Sequence, residues 1–270
     1  MKHILLFFLM VSPLSANDQI LMNRLQATNV TIKTRFAQGS GSLFNRSIAN
    51  ETITFVWTAA HVIDDLRRTR TVIDSSGTTR TIVEFEDARI VQELVEDGRR
   101  VGELQMDARV IRYSDSENGE DLALLQVRKL NYINPKFTTQ FYLGDNIPSI
   151  GTELYHVGSL KGQFGANSLT TGVVSQIGRV LDVGTGVVFD QTTVTAFPGS
   201  SGGGVYFKSN GQYMGMLVRG GGEQFNFIVP IRRIKKWAIK ADVYWALDPS
   251  VPLPANSDVR SIEDTGVSFE

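Results

Sequence analysis

The sequence Pro198-Gly-Ser-Ser-Gly-Gly203 lies between two predicted strands and combines a candidate nucleophile with the glycines of a tight turn. A serine hydroxyl becomes an effective nucleophile only when a base removes its proton and N–H groups face the oxyanion that it creates. Glycines on both sides of Ser201 permit a loop whose amides point to one spot, because glycine adopts backbone angles that other residues avoid. We therefore predict Ser201 as a nucleophile and the N–H groups of Gly199 and Ser201 as an oxyanion hole.

The order of possible partners along the chain narrows the kind of site, because Gly-x-Ser-x-Gly patterns are also common in ordinary turns. The order Ser–acid–His of the α/β-hydrolases is excluded, since no histidine follows Ser201. The order Asp–His–Ser of subtilisin requires an aspartate before the histidine, and Asp18 is the only aspartate before His61. His156 with Asp97 fits that order formally, but without the expected local sequence. The order His–Asp–Ser remains.

His61 and Asp121 fit the remaining order. His61 follows Thr58-Ala-Ala at the end of an apolar strand, which predicts an imidazole at a strand edge beside a cleft. Asp121 directly precedes Leu122–Val127, a nearly all-apolar run typical of a buried strand. A carboxylate there is desolvated and needs a partner such as an imidazole N–H. Three rival aspartates lie in polar surroundings and are expected to be solvated surface charges: Asp64, Asp65 and Asp115.

The rest of the chain from about residue 28 to 245 reads as short strands separated by turns, which predicts an all-β sandwich or barrel. Gly39–Ser42 is predicted as a turn. Val101–Met106 and Ala108–Tyr113 are predicted as separate strands, and so are Val187–Phe189 and Thr192–Ala196. Near the end, Pro230 followed by apolar residues at helical spacing predicts a helix of about 13 residues.

The first sixteen residues have the pattern of a secretory signal peptide. Lys2 and His3 precede the apolar run Ile4–Val11, and small residues lead to a predicted cleavage after Ala16. We therefore expect an exported protein, periplasmic or secreted, with no stable membrane span after cleavage. The predicted divisions are a signal peptide (1–16), an N-terminal barrel with a leading segment (17–132), a linker (133–150), a C-terminal barrel with a terminal helix (151–245) and a flexible acidic tail (246–270).

The composition excludes several classes of function. With 27 basic and 28 acidic residues among 270, the formal charge is −1, which argues against a nucleic-acid binder. The absence of cysteine excludes disulfides, thiolate zinc sites, iron–sulfur clusters and a catalytic thiol. No HExxH motif is present, so a zinc peptidase of that type is excluded. We expect neither a metal nor a cofactor.

Three blocks resemble the catalytic blocks of the trypsin-like serine proteases: Thr58-Ala-Ala-His61, Asp121-Leu-Ala-Leu-Leu125 and Gly199-Ser-Ser-Gly-Gly203. Three further segments are similar to the HtrA (DegP-like) branch: Gly39-Ser-Gly-Ser42, Gly172-Val-Val-Ser-Gln-Ile-Gly-Arg179 and Thr195–Gly203. The resemblance covers roughly residues 28 to 243. It implies a chymotrypsin-like fold, all-β, of two six-stranded antiparallel β-barrels with a C-terminal helix and the site in the groove between them.

The same resemblance implies the roles of the site residues. His61 would act as general acid and base, Asp121 would hold its tautomer, and Ser201 would carry the acyl-enzyme. The expected substrates are polypeptides, unfolded or extended. HtrA proteins usually carry a PDZ domain after the protease, and the acidic tail leads us to expect none here. Ser200 replaces the asparagine of that branch and the aspartate that pairs with a cut N-terminus in digestive relatives, so activation by such a clip is not expected.

The resemblance also suggests substrate-binding residues. Thr195 matches the base of the primary pocket and is uncharged, so a preference for Lys or Arg is not expected. Phe197 lies beside it, and the alternative for both residues is plain packing. Val218, Arg219 and Gly220 match the strand that pairs with substrate backbone. We predict a modest apolar pocket for small aliphatic side chains, which Arg219 either narrows or supplements by attracting acidic residues.

The function predicted from the sequence is therefore a serine endopeptidase. The alternative is a catalytically silent protease fold that acts as a binding module or holdase for unfolded polypeptides. A phage or virus processing protease would share the mechanism and differ only in its target. His156 lies within a predicted strand and is interpreted as structural. The sequence predicts no oligomeric state.

Overall fold

The computed structural model describes residues 16–48, 51–73, 75–96, 99–117, 119–128, 137–181, 186–221 and 223–255. Residues 1–15 of the predicted signal peptide, Asp97, residues 133–136 of the predicted linker and residues 256–270 of the predicted tail lie outside the described residues. None of the described helices has both the length and the apolar character needed to cross a membrane.

The first half of the chain begins with a helix and continues as strands. Its elements are α1 (Ala16–Ala27), β1 (Asn29–Lys33), β2 (Gln38–Ile48), β3 (Glu51–Thr58), β4 (Arg67–Ile73), β5 (Thr79–Phe85), β6 (Ala88–Glu96), β7 (Arg99–Ser114) and β8 (Leu122–Val127). Six of the strands close into an antiparallel barrel in the order β1-β2-β3-β8-β7-β6. Strand β8 pairs with β3 and β7, and its apolar character matches the burial of five of its six residues.

The second half forms another barrel. Its elements are β9 (Glu153–Leu160), β10 (Gly165–Val180), β11 (Val188–Thr192), β12 (Gly204–Phe207), β13 (Tyr213–Gly220), β14 (Asn226–Pro230) and α2 (Ile231–Lys240). The six strands close in the order β10-β11-β14-β13-β12-β9. The prediction of two six-stranded antiparallel barrels followed by a helix is confirmed.

Strands β4 and β5 belong to neither barrel and pair only with each other. Arg68 and Arg70 of β4 are exposed and form ion pairs with Glu86 and with Glu84 of β5. Strand β4 is exposed along most of its length and shows weak hydrophobic alternation, and for this reason it was not predicted.

The prediction of a turn at Gly39–Ser42 is wrong, because these residues lie within β2. The two glycines allow neighbouring side chains to pack directly against the backbone of this strand. A Cβ on Gly39 would lie 2.5 Å from the Val62 side chain, and one on Gly41 would lie 2.5 Å from Val56. Glycine and serine therefore mark a crowded strand here and not a reversal of the chain.

Two predicted strand breaks are also wrong. Residues 99–114 form one strand, β7, because Asp107 at the expected break faces Arg89 of β6 and its carboxylate lies 3.5 Å from that guanidinium. One strand, β11, takes the place of the two predicted strands Val187–Phe189 and Thr192–Ala196. It begins at Val188 and ends at Thr192. Residues 193 to 203 then form the long connection that carries the candidate nucleophile.

The terminal segments differ from the sequence expectations. Helix α1 was not predicted, since its polar and apolar residues show little helical segregation. Helix α2 has 10 residues, and Pro230 precedes it as the last residue of β14. After α2 the chain returns to the first barrel, where Ala246 and Leu247 are buried. Val251 and Leu253, within the predicted tail 246–270, pack against the same core.

Candidate active site

The short segments after β3 and before β8 bring His61 and Asp121 together. The two strands pair with Thr58 opposite Ala123, so the residues just beyond that pair lie at the same barrel end. Both carboxylate oxygens of Asp121 lie 3.0 Å from His61 Nδ1. The backbone N–H of His61 also donates to Asp121 Oδ1 at 3.1 Å. Asp121 accepts the Nδ1 proton, which leaves Nε2 of the neutral ring as the basic nitrogen.

The pKa of His61 is raised above its ordinary value. Burial is the largest single influence and lowers this pKa, but the opposing influences, led by the hydrogen bond and negative charge of Asp121, together outweigh burial. Asp64 raises the pKa further by its charge, and Arg219 opposes it. The arrangement stabilises the imidazolium that would form when His61 takes a proton.

The rival aspartates do not contact His61, and they are held more firmly than the sequence suggested. Asp64 accepts hydrogen bonds from Tyr113 and Ser116. Asp65 accepts the backbone N–H of Phe36 at 3.0 Å, and Asp115 lies 3.8 Å from Arg67. They are partly buried side chains with partners, not solvated surface charges, because the loops that carry them fold back onto the barrel.

The nucleophile loop, residues 197–203, begins with a tight turn. The Ser200 N–H donates to Phe197 O at 2.9 Å across Pro198 and Gly199. Gly199 has φ 98°, and proline followed by such a glycine is the pattern of a type II turn. Ser200 is fully buried, and its Oγ accepts the Phe197 N–H at 3.1 Å. The turn is thus closed by its own residues.

The turn leaves the predicted oxyanion amides unpaired. Among the described residues, no protein acceptor receives the N–H of Gly199 or of Ser201. The Pro198 carbonyl is held elsewhere, since it accepts the Lys161 N–H at 2.8 Å. The Ser201 side chain is partly exposed, and within the described chain its hydroxyl makes no hydrogen bond to His61.

Strand β2 of the first barrel holds this loop through Ser40. The Ser40 N–H donates to Ser201 O at 2.7 Å. Its Oγ donates to Gly199 O and accepts the Ser159 N–H, both at 2.7 Å. Sequence reasoning missed Ser40 because it was read as a turn residue. No local sequence signal marks its contacts with the second barrel.

The same contacts place Ser201 on the side of the barrel that carries His61. A Cβ on Gly39 would meet the Val62 side chain at 2.5 Å and Ser201 O at 3.1 Å, so both border one small gap. A Cβ on Gly202 would meet Ser40 O at 2.1 Å and Thr58 Oγ1 at 2.4 Å. With φ 86° and no room for a side chain, position 202 requires glycine.

The predicted substrate-binding residues lie on two segments near the nucleophile loop. Val218 is buried in the core, whereas Arg219 and Gly220 are exposed. Thr195 is half-buried, and its carbonyl accepts Thr170 Oγ1 at 3.1 Å. Phe197 is 45% exposed.

A residue that the sequence analysis missed joins these two segments. Asn226, opposite Gly220 in the β13–β14 pair, donates from Nδ2 to Val194 O at 2.7 Å. No local sequence signal marks this residue.

His156 lies beneath the loop and not at its surface. It is fully buried, and its Nδ1 lies 3.1 Å from Gly204 O, which must accept its proton. Burial lowers the pKa of His156 to about 4. A ring that stays neutral and enclosed in this way is structural. No group of three His, Asp or Glu side chains within the described ranges is arranged to hold a metal ion.

Comparisons with known proteins agree with this architecture. Two solved structures are similar in fold: a serine endoprotease from Yersinia pestis (20% identity, TM-score 0.57, 86% of this chain and 67% of that one) and Deg5 (18% identity, TM-score 0.58, 87% and 99%). A comparison with curated proteins gives no match. The model of the trypsin-like peptidase domain matches residues 39–216, which is more than half of the sequence and includes the segments that carry His61, Asp121 and Ser201. The chain therefore belongs to the trypsin-like peptidase family.

Proposed function

We propose that this protein is a serine endopeptidase in which Ser201 is the nucleophile and His61 the general acid and base. The observation that carries the proposal is the His61–Asp121 pair, with Nδ1 3.0 Å from the carboxylate, on the barrel side that contacts the Ser201 loop. Family membership supports peptidase chemistry, and the order His–Asp–Ser along the chain supports these particular roles.

In the proposed reaction, His61 Nε2 removes the Ser201 hydroxyl proton as Oγ attacks the scissile carbonyl carbon. The carbonyl oxygen becomes an oxyanion, and the N–H groups of Gly199 and Ser201 are the candidate donors to it. Their lack of protein acceptors supports this role. The imidazolium then donates its proton to the leaving amine, and a water activated by His61 hydrolyses the acyl-enzyme.

The proposed substrates are polypeptides in an extended conformation. Strand β12 pairs with β13 only as far as Met216. At Leu217 the partner is the nucleophile loop, because Leu217 O accepts the Gly202 N–H and the Leu217 N–H donates to Gly203 O. Beyond this point, Val218–Gly220 has no further strand on that side within the described chain. A substrate strand added there would run beside Ser201, in the manner of strand addition. Unfolded segments meet this requirement most easily.

A fluorophosphonate probe tests the proposal directly. We expect the mature protein to be labelled at Ser201 and to digest casein. Ser201→Ala should abolish labelling and lower cleavage by several orders of magnitude. Ser47→Ala, which changes an exposed serine of β2, should leave both unchanged. If the wild type is neither labelled nor active while it still binds unfolded polypeptides, the binding module or holdase is the correct function.

We propose further that the protein acts outside the cytoplasm, on the basis of the predicted leader in residues 1–16. Expression of the whole sequence in a bacterium should yield an exported product that begins at Asn17. A product that keeps Met1 and stays in the cytoplasm would contradict this proposal.

A further inference from the structure

Asn226 bridges the two segments predicted to line the primary substrate pocket. It is the first residue of β14, and the β13–β14 register places it opposite Gly220. Directly opposed residues of antiparallel strands present their side chains on the same face. Its amide reaches across that face to Val194, which precedes Thr195. The side chain is therefore enclosed between the Thr195 segment and the end of β13.

The oxygen of this amide has no hydrogen-bond partner. Asn226 is 1% exposed, and its Oδ1 is buried and unpaired. The assignment of the two amide atoms is fixed by chemistry, because Val194 O can only accept and must therefore face Nδ2. A buried acceptor without a donor costs about 1–3 kcal/mol, so such atoms in folded proteins require an explanation.

Gly220, the directly opposed residue, places no side chain over the free oxygen. A Cβ at this position would lie 2.9 Å from Asn226 Oδ1, closer than real Cβ contacts allow. The nucleophile loop is close by, since Gly202 N–H donates to Leu217 O at 2.7 Å, three residues before Gly220. The acceptor thus lies beside the strand on which a substrate would be aligned next to Ser201.

We propose that Asn226 Oδ1 determines specificity by accepting a hydrogen bond from the substrate residue before the scissile bond, and that it selects short hydroxyl side chains, threonine and serine. The inference rests on the proposed function. It replaces the small aliphatic preference expected from the sequence, because an aliphatic group would keep the oxygen unpaired. The side chain must be short, since the Asn226 amide itself fills part of the space between the two segments.

Access to the oxygen requires side chains at the pocket to move, because the atom is buried in the free protein. Two partly exposed aromatic rings lie on the segments next to Asn226. Phe225 directly precedes Asn226, and Phe197 follows Thr195 by two residues, and each is 45% exposed. A hydroxyl that enters gains the unmade bond. A methyl group of the same size requires the same opening without that gain.

Threonine and valine are the decisive comparison, because they differ only by a hydroxyl in place of a methyl. A library of peptides digested by the mature wild type and read by mass spectrometry first identifies cleaved sequences. Two peptides that differ only in Thr or Val before the scissile bond then give the ratio of kcat/KM. We expect threonine to be favoured by about 10- to 100-fold, as for a site whose buried acceptor is left unpaired by the wrong substrate.

Asn226→Leu keeps the approximate side-chain size and removes the acceptor, so the ratio should fall to one or below. Asn29→Leu is the matched control, because Asn29 is a buried asparagine of the other barrel whose Oδ1 is also unpaired. Its ratio should equal that of the wild type. The ratio does not depend on how much of a preparation is folded, and the wild-type ratio alone tests the inference if the variant does not fold.

The outcomes separate the two proposals. Cleavage with valine equal to or better than threonine overturns the role of Asn226 and leaves the endopeptidase proposal intact. An unchanged ratio in Asn226→Leu likewise overturns that role. Absence of both cleavage and probe labelling overturns the proposed function and this inference together.

Discussion

The candidate catalytic pair, His61 and Asp121, depends on a carboxylate held in an uncommon backbone conformation. Asp121 has φ 55°, in the left-handed region, and is only 3% exposed. Such a conformation in a residue other than glycine costs about 1–3 kcal/mol, although aspartate tolerates it better than most. The hydrogen bonds from the His61 backbone and ring offset this cost and the cost of burying the charge. The backbone strain thus lies at the residue that orients the His61 imidazole.

Replacing this carboxylate should affect both rate and pH dependence. In Asp121→Asn we expect kcat/KM to fall by about 10³- to 10⁴-fold, because an amide can stabilise the wrong histidine tautomer. The carboxylate raises the pKa of His61, so the rise of activity with pH should move to lower pH in the variant. A pH–rate profile measures both effects.

Asp64→Asn provides the control for this prediction. Asp64 also raises the pKa of His61 by its charge but does not contact the ring. The variant should show a smaller shift in the same direction with most of the activity kept. If Asp121→Asn kept more than a tenth of the wild-type kcat/KM, the assignment of Asp121 would be wrong.

Protonation of His156 should destabilise the fold in mild acid. Burial lowers the pKa of His156 from 6.5 to about 4, so the unfolded chain binds the proton more tightly. Stability is therefore lost as pH falls through this interval, by about 3 kcal/mol at pH 4 from this residue alone. Urea unfolding at pH 7 and pH 4 should show a correspondingly smaller loss in His156→Gln. Equal losses in both proteins would contradict the prediction.

Strand β2 contributes to both barrels. It closes the first barrel between β1 and β3, and its first residues support the nucleophile loop of the second barrel. Ser40 supports the loop with three hydrogen bonds, to Gly199, Ser201 and Ser159. The geometry of the candidate oxyanion hole in one barrel therefore depends on a strand of the other.

Removal of the Ser40 hydroxyl should slow the reaction more than it weakens substrate binding. Ser40→Ala frees the Gly199 carbonyl and leaves the buried Ser159 N–H without its acceptor. We expect kcat to fall about 10-fold with KM nearly unchanged, since misplacement of reacting groups acts on the transition state. Ser42→Ala in the same strand, whose Oγ bonds Tyr206 instead, is the control. A change confined to KM would argue against a positioning role.

In the whole molecule, the chain after the second barrel returns to the first and links the two. Trp237 of α2 packs edge-on against Trp57 with ring centroids 5.7 Å apart, and Trp245 packs against Phe55 at 5.0 Å. Arg46 of β2 then donates to four backbone carbonyls, those of Trp245, Asp248, Pro249 and Val251. The C-terminal segment thereby links the two barrels.

Loss of this guanidinium should lower the stability of the whole protein. Arg46→Ala removes charge-assisted hydrogen bonds to several carbonyls, and we expect the free energy of unfolding to fall by about 2–4 kcal/mol. Arg70→Ala removes only an exposed ion pair with Glu84 and should change the free energy of unfolding far less. Urea titration of the three proteins makes the comparison. Similar midpoints for Arg46→Ala and Arg70→Ala would show that the segment does not hold the barrels.

Local and ordered features were readable from the sequence. Apolar alternation located most barrel strands, and the order of His61, Asp121 and Ser201 left one arrangement of the candidate site. The apolar run after Asp121 predicted a buried carboxylate, and Asp121 is buried beside His61. These features are visible because periodicity, chain order and a few residue types are properties of the linear chain.

Other features were decided by contacts between distant residues. Ser40 meets Gly199 across 159 positions, Arg46 meets Trp245 across 199, and Asn226 meets Val194 across 32. Each is a common polar residue within a strand, and nothing beside it in the sequence marks its partner. The glycines of β2 read as a turn because local composition cannot show that Val62 and Val56 occupy the space of their missing side chains. Barrel closure, contact between the barrels and the return of the C-terminal segment create these neighbours, so their roles follow from the tertiary structure alone.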